Sequence, residues 1–125
     1  MPTLRTFIVE DNPVILTNLI ATLEELSDVR VVGSVGSERE AVRELQQHGG
    51  EVDLVIVDVL LAPGSGLGVL RSAQDLKLPV RRVVLSNYAT PEMRRRCLDL
   101  GAERVFDKSS EIEELIAYCD AAAAA

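Results

Sequence analysis

Cationic residues are in deficit: 13 Lys and Arg stand against 20 Asp and Glu, a formal net charge of −7. Proteins that bind nucleic acid or anionic membrane are usually basic, so neither is expected as a direct partner. No apolar run is long enough to span a bilayer, and the chain reaches a predicted strand within a few residues, without a signal peptide. The cytoplasm is therefore the expected location. Only two cysteines occur, Cys97 and Cys119. They lie far apart, lack a CxxC pairing and occupy apolar positions of predicted helices, which excludes a disulfide frame and a zinc site and points to reduced core thiols. The single histidine, His48, falls near the end of a predicted helix, and nothing near it suggests a phosphohistidine. Aromatic residues make up 3% of a chain that is 47% hydrophobic. A length of 125 residues allows one domain with one core.

What is present centres on residues 52 to 70. Leu54, Val55, Ile56 and Val57 form an unbroken apolar run rich in β-branched side chains. A strand with one wet face would alternate, whereas a strand covered on both faces need not, as in the middle of a parallel sheet. The run ends on Asp58. Pro63, Gly64 and Gly66 then predict a sharp loop before a helix that starts at Leu67.

Four more strand–helix units flank this one. Residues 4 to 9 read as a strand that stops at Glu10-Asp11-Asn12-Pro13. Ile15, Leu16, Leu19, Ile20, Leu23 and Leu26 follow at helical spacing, with Asn12 as N-cap and Pro13 in the first turn. Val29 to Val35 is a second strand. Ser37-x-x-Glu40 resembles a capping box and opens a helix carrying Ala41, Val42 and Leu45, closed by Gly49-Gly50. The third helix carries Leu67, Leu70, Ala73 and Leu76. Val83 to Leu85 form a fourth strand ending at Ser86-Asn87. Thr90-Pro91-Glu92 starts a fourth helix that runs to Gly101. Residues 103 to 107 make a weak fifth strand ending at Lys108. Ser110-x-x-Glu113 reads as another capping box, before Ile112, Leu115, Ile116 and Cys119 at i, i+3, i+4, i+7 spacing. The Ala121 to Ala125 run is low in complexity, can extend this helix and is assigned no role.

This alternation implies an α/β fold: a single doubly wound, five-stranded parallel sheet with five helices and right-handed crossovers. The flavodoxin-like strand order 2-1-3-4-5 is the economical one, with its switch point between strands 1 and 3. Strand 1 ends in Glu10-Asp11 and strand 3 in Asp58, so three carboxylates converge on one crevice. Such a cluster repels itself unless a cation neutralises it. Oxygen-only ligands with room for water suit Mg²⁺, which pairs readily with phosphate oxygens. Ser86 and Lys108 end strands 4 and 5 on the same rim. A carboxylate nucleophile, a metal, a hydroxyl and a cation together make a phosphoryl-transfer kit.

With these residues in place, the chain resembles the receiver domain of two-component response regulators over residues 4 to about 119. The resemblance makes residues 1–120 the receiver and 121–125 a tail. It implies that Asp58 is the phosphoacceptor, taking a phosphoryl group from a sensor histidine kinase, a phosphotransfer protein or a small phosphodonor. It implies direct Mg²⁺ ligation by Asp11, Asp58 and the backbone carbonyl of Leu60, with Glu10 acting through metal-bound water. Ser86 would hydrogen-bond the phosphoryl group, and Lys108 would pair with another of its oxygens. The chain would catalyse only its own phosphorylation and dephosphorylation. Gly64-Ser65-Gly66 is not a dinucleotide fingerprint; its glycines serve the turn.

Several positions depart from that family. Three residues before the lysine, receivers carry Tyr or Phe; here Val105 stands there and Phe106 follows it. Neighbours on a strand face opposite sides, so Phe106 is expected to pack under a helix and cannot replace the missing ring. Ser109 replaces the usual Pro after Lys108, and Asn87 replaces a small residue. Leu60 and Tyr88 occupy the two positions that set phosphoryl lifetime, and neither orients water, so slow self-dephosphorylation is expected. Arg94, Arg95 and Arg96 on helix 4, with Glu111, Glu113, Glu114 and Asp120 on helix 5, form either solvated faces or a charge-complementary homodimer surface across helix 4, strand 5 and helix 5. Two rival functions remain: a degenerate receiver acting as a phosphorylation-independent binding module, and an Asp-nucleophile phosphatase. The latter wants a second Asp where Leu60 stands.

Overall fold

The computed structural model describes residues 3–61 and 64–124. Pro63, which the loop reading used, and Ala125 of the tail lie outside them. The elements are β1 (Leu4–Val9), α1 (Pro13–Leu26), β2 (Val29–Val35), α2 (Glu38–His48), β3 (Leu54–Val57), α3 (Gly66–Asp75), β4 (Arg81–Ser86), α4 (Pro91–Asp99), β5 (Arg104–Asp107) and α5 (Ile112–Ala124), with a 3-10 turn at Gly49–Glu51. The strands form one parallel sheet in the order β2-β1-β3-β4-β5. All four residues of β3 are buried, as its unbroken apolar run requires for a strand covered on both faces.

Strand parity divides the core. Ile8, Leu54, Ile56, Leu85 and Phe106 face α1 and α5, against Leu19, Leu23, Leu115 and Cys119. Phe7, Val9, Val55 and Val57 face α2 and α3, against Ala41, Leu45 and Val69. Val84 and Val105 pack with Leu70 and Cys97, under α3 and α4. Both cysteines are fully buried. Burial pushes the Cys119 thiol up to about 12 and raises that of Cys97, so both stay protonated and inert.

Local signals place most helix starts. Asn12 Oδ1 accepts the N–H groups of Val14 and Ile15, Ser37 Oγ accepts that of Glu40, and Thr90 Oγ1 accepts that of Met93. Ser65 caps α3 in the same way, through the N–H of Leu67. Three expectations fail. Ser110 does not cap α5: the helix begins at Ile112, and Glu111 takes the cap position, its carbonyl accepting the N–H of Leu115. Leu76 is exposed, because Lys77 adopts a left-handed φ of 54° and turns Leu78 inward in its place. Leu26 is also exposed, one turn beyond the buried Leu23. The terminal alanines do more than trail: Ala123 is buried in the α1/α5 core layer.

At the amino end of the sheet, Arg5 and Asp53 form a two-pronged pair at 3.0 and 3.1 Å, and Asp53 Oδ2 also accepts the Arg5 backbone N–H at 2.8 Å. The Arg5 side-chain bond holds the Asp53 carboxyl below its ordinary range. A lowered carboxyl pKa stabilises the fold above the unfolded value and loses that contribution as pH falls through the folded one. D53N should therefore cost about 1 kcal/mol near neutral pH, a deficit that shrinks as pH drops below about 4. Urea denaturation across pH checks this; a pH-independent deficit would contradict it.

Candidate functional site

The register of β1 on β3 sets the site. Val9 pairs with Val57, so Glu10 and Asp58 are the next residues of adjacent parallel strands, joined by the Asp58 N–H to Val9 carbonyl bond at 3.0 Å. Both continue the parity of Ile8 and Ile56, on the α1/α5 side. Asp11 follows at the mouth. Glu10, Asp11 and Asp58 each offer an oxygen, all within 4.8 Å of one another. Glu10 and Asp58 are 4% and 8% exposed, whereas Asp11 is open to solvent.

A lysine holds the two buried acids together. Lys108 continues the parity of Phe106 and reaches across to both: its Nζ donates to Glu10 Oε1 at 2.5 Å and to Asp58 Oδ2 at 2.9 Å. Its backbone N–H donates to the Ser86 carbonyl at 3.2 Å, which ties β5's exit to β4's. Burial works to lower the Lys108 pKa, but the two carboxylates outweigh it and hold the ammonium above its ordinary value. Burial raises the Glu10 carboxyl, against the pull of Lys108. The sequence placed Lys108 on this rim; the structure adds that it pairs with Glu10 as well as Asp58.

Asp58 Oδ1 accepts the Leu60 N–H at 3.2 Å. Ser86 is fully buried at the end of β4, and its Oγ accepts the Tyr88 N–H at 3.0 Å, which leaves its own O–H able to donate. Tyr88, Asn87 and Leu60 are exposed at the rim. Val105 and Phe106 face opposite sides, as their adjacency demands. Val105 joins the α3/α4 layer, and Phe106 sits fully buried, edge-on to Tyr118 of α5.

The turn after Asp58 is built on absent side chains. A Cβ on Gly66 would lie 2.0 Å from the Asp58 carbonyl oxygen. A Cβ on Gly68 would lie 2.3 Å from the Glu38 carboxylate, whose Oε1 accepts the Ser65 N–H at 2.8 Å. Sequence reading missed Glu38, the first residue of α2, as a support of this loop; the only sequence signal is the run of glycines that makes room for it.

Arg94 and Glu111 leave the solvated-face reading. Arg94 Nη2 donates to Glu111 Oε1 at 2.5 Å, so the two are partners within one chain. Arg95, Arg96, Glu113, Glu114 and Asp120 stay exposed. His48 is exposed, 3.5 Å from Glu51. No helix among the described residues is long and apolar enough to cross a membrane.

The donor set fits a hard divalent cation: three carboxylate oxygens, clustered and partly open to water. Without a metal, Lys108 is the cation that offsets the buried pair. K108M should cost about 3 kcal/mol in chelator, because it strands two carboxylates, and Mg²⁺ should restore part of that loss. Thermal unfolding with and without Mg²⁺ checks this; an unchanged midpoint would contradict it.

The sequence profile of the response regulator receiver domain matches residues 6–120. A transcriptional regulatory protein of Bacillus subtilis, YvfU, is 28% identical over 112 residues, 90% of this chain and 55% of that protein. A protein-glutamate methylesterase/protein-glutamine glutaminase of Azospirillum brasilense is 27% identical over 113 residues, 89% of this chain and 28% of that protein. The chain thus spans about half or less of these curated relatives. Among solved structures, the response regulator domain of Thermotoga maritima CheB matches with a TM-score of 0.83 at 19% identity, covering 98% of each chain, which shows the shared fold. With an acid-lined notch at the carboxyl end of a 2-1-3-4-5 sheet and a family match over nearly its whole length, the chain belongs to the receiver domains of two-component response regulators.

Proposed function

We propose that Asp58 is the phosphoacceptor of a His-to-Asp relay, served by a sensor histidine kinase, a phosphotransfer protein or a small phosphodonor. The observation that carries this is the meeting of Glu10, Asp11 and Asp58 within 4.8 Å, with Lys108 bonded across the buried pair. In the transfer, an Asp58 oxygen bonds to phosphorus as the donor's P–N or P–O bond breaks, and the leaving group keeps that electron pair. Lys108 already points its ammonium at Asp58 Oδ2, so it can follow that charge onto a phosphoryl oxygen. Ser86 offers its O–H from β4 to another oxygen.

Receiver domains bind Mg²⁺ at an acidic cluster. Here Asp11, Asp58 and the Leu60 carbonyl would hold it directly, and Glu10 through water. When bound, the ion supplies neutralising charge to the transferring group. The chain's own chemistry is limited to gaining and losing this phosphoryl group, in the cytoplasm. Treatment with phosphoramidate or acetyl phosphate and Mg²⁺ should add one phosphoryl group to the intact chain, abolished by D58A. With Leu60 and Tyr88 at the rim, loss of that group should take minutes or longer; decay within seconds would contradict it.

A homodimer across α4, β5 and α5 is the proposed output. Arg94 and Glu111 are partly spent on each other, and Asp120 accepts the Ser27 hydroxyl and the Asp28 N–H, so its charges come from Arg95, Arg96, Glu113 and Glu114. R95E should weaken phosphorylation-dependent self-association in sedimentation; an unchanged profile points to a solvated face. A second reading, a phosphorylation-independent binding module, is favoured by the packed Val105 and the locked Phe106, which leave no ring on β5 free to move. No phosphoryl uptake with partner binding intact would support it.

A further inference from the structure

We infer that Arg94 is a positioning residue for phosphoryl transfer: its guanidinium ties the segment after Ser86 to the segment around Lys108, so that hydroxyl and ammonium face Asp58 as a set. The inference rests on Asp58 being the phosphoacceptor.

The geometry is a three-armed tie. Arg94 Nε donates to the Ala89 carbonyl at 3.0 Å, Nη1 to the Val105 carbonyl at 2.9 Å and Nη2 to Glu111 Oε1 at 2.5 Å. Each arm lands on a different element. Ala89 stands three residues after Ser86, in a loop whose Tyr88 N–H is already bonded to Ser86 Oγ. Val105 stands on β5, three residues before Lys108. Glu111 Oε1 also accepts the Asp107 N–H at 2.9 Å, and Asp107 Oδ1 accepts the Ser109 N–H at 2.8 Å, so both neighbours of Lys108 are pinned. The Lys108 N–H to Ser86 carbonyl bond closes the circuit.

Helix formation does not require this arginine. Thr90 caps α4, and the next two residues, Arg95 and Arg96, extend into solvent as residues on a polar helix face usually do. The Arg94 side chain instead turns inward, with 35% of its surface exposed, and makes three bonds. A guanidinium fixes five N–H donors in one plane, enough for three acceptors at once; a lysine would lose the fork. β5 is the edge strand; Val105 packs it under α4, and Arg94 adds a polar tie from α4 to its backbone. Lys108 is thus aimed from two sides: by the acids it bonds and by the turn that carries it.

The test compares R94M, R94K and E111M with R71M, which removes a charge from an exposed site on α3. One readout is hydrogen–deuterium exchange over residues 86–90 and 105–111. R94M should speed exchange in both segments by about fivefold or more, and E111M in the second chiefly. The other is the rate of Asp58 phosphorylation by phosphoramidate at saturating Mg²⁺, with Mg²⁺ affinity measured separately. R94M and R94K should lose about tenfold in rate while Mg²⁺ affinity stays within about twofold, since the acids follow directly on β1 and β3, away from α4. A merely structural residue would lower melting temperature without that split. Unchanged exchange at 86–90 in R94M, a wild-type rate in R94K, or a rate loss that tracks Mg²⁺ affinity would overturn the inference. A wild-type chain that takes no phosphoryl group on Asp58 would fail the phosphoacceptor reading itself, and the exchange data would still decide whether the tie exists.

Discussion

Two buried carboxylates on neighbouring strands impose the governing constraint. Glu10 and Asp58 stand side by side, one residue past the Val9–Val57 pair of adjacent parallel strands, and point to the same side, so their charges meet at the sheet's carboxyl edge. Like charges about 4 Å apart repel by roughly 4 kcal/mol at the effective dielectric of a protein surface. Something cationic must therefore sit between them. Lys108 does, and to do so it must leave β5 at the right height and on the right side. The order β2-β1-β3-β4-β5 meets that demand by placing β4 and β5 beyond β3, with exits that overhang the notch.

The rest of the rim is engineered around that pair. Behind Asp58, glycines let the α3 turn fold onto the strand end, with Glu38 filling the space that Cβ atoms at Gly64 and Gly68 would need. Beyond Ser86, the chain bonds back on itself through Tyr88 before α4 begins. Past Lys108, Asp107 and Glu111 hold the turn in which the family's proline is absent. Most of the supports act through backbone N–H and C=O groups, which fix position while leaving side chains at the notch free for chemistry.

The fold was largely legible because each unit carries its own punctuation. A strand followed by an amphipathic helix recurs five times, β3 alone is an unbroken apolar run, and Asn12, Ser37 and Thr90 act as their side chains predict. The notch was legible because strand adjacency follows from that alternation. What escaped the sequence depends on distance. The Arg94–Glu111 tie and the Lys108–Glu10 bond join residues 17 and 98 positions apart, and no local pattern encodes them. Ser110 misled because the helix starts one residue later, where Arg94 and the Asp107 N–H hold Glu111 in place. Leu76 misled because helical spacing runs one residue past the end of α3 at Asp75, just before Lys77 turns the chain.

The claim that parallel adjacency builds one cation-binding notch is tested most directly by titrating Mn²⁺ into the isotopically labelled protein and following amide signals by NMR. Paramagnetic broadening should appear first and together at residues 10–12, 58–60 and 107–109, and excess Mg²⁺ should reverse it. Broadening scattered over the exposed acidic face of α5, or confined to one of those three segments, would contradict it.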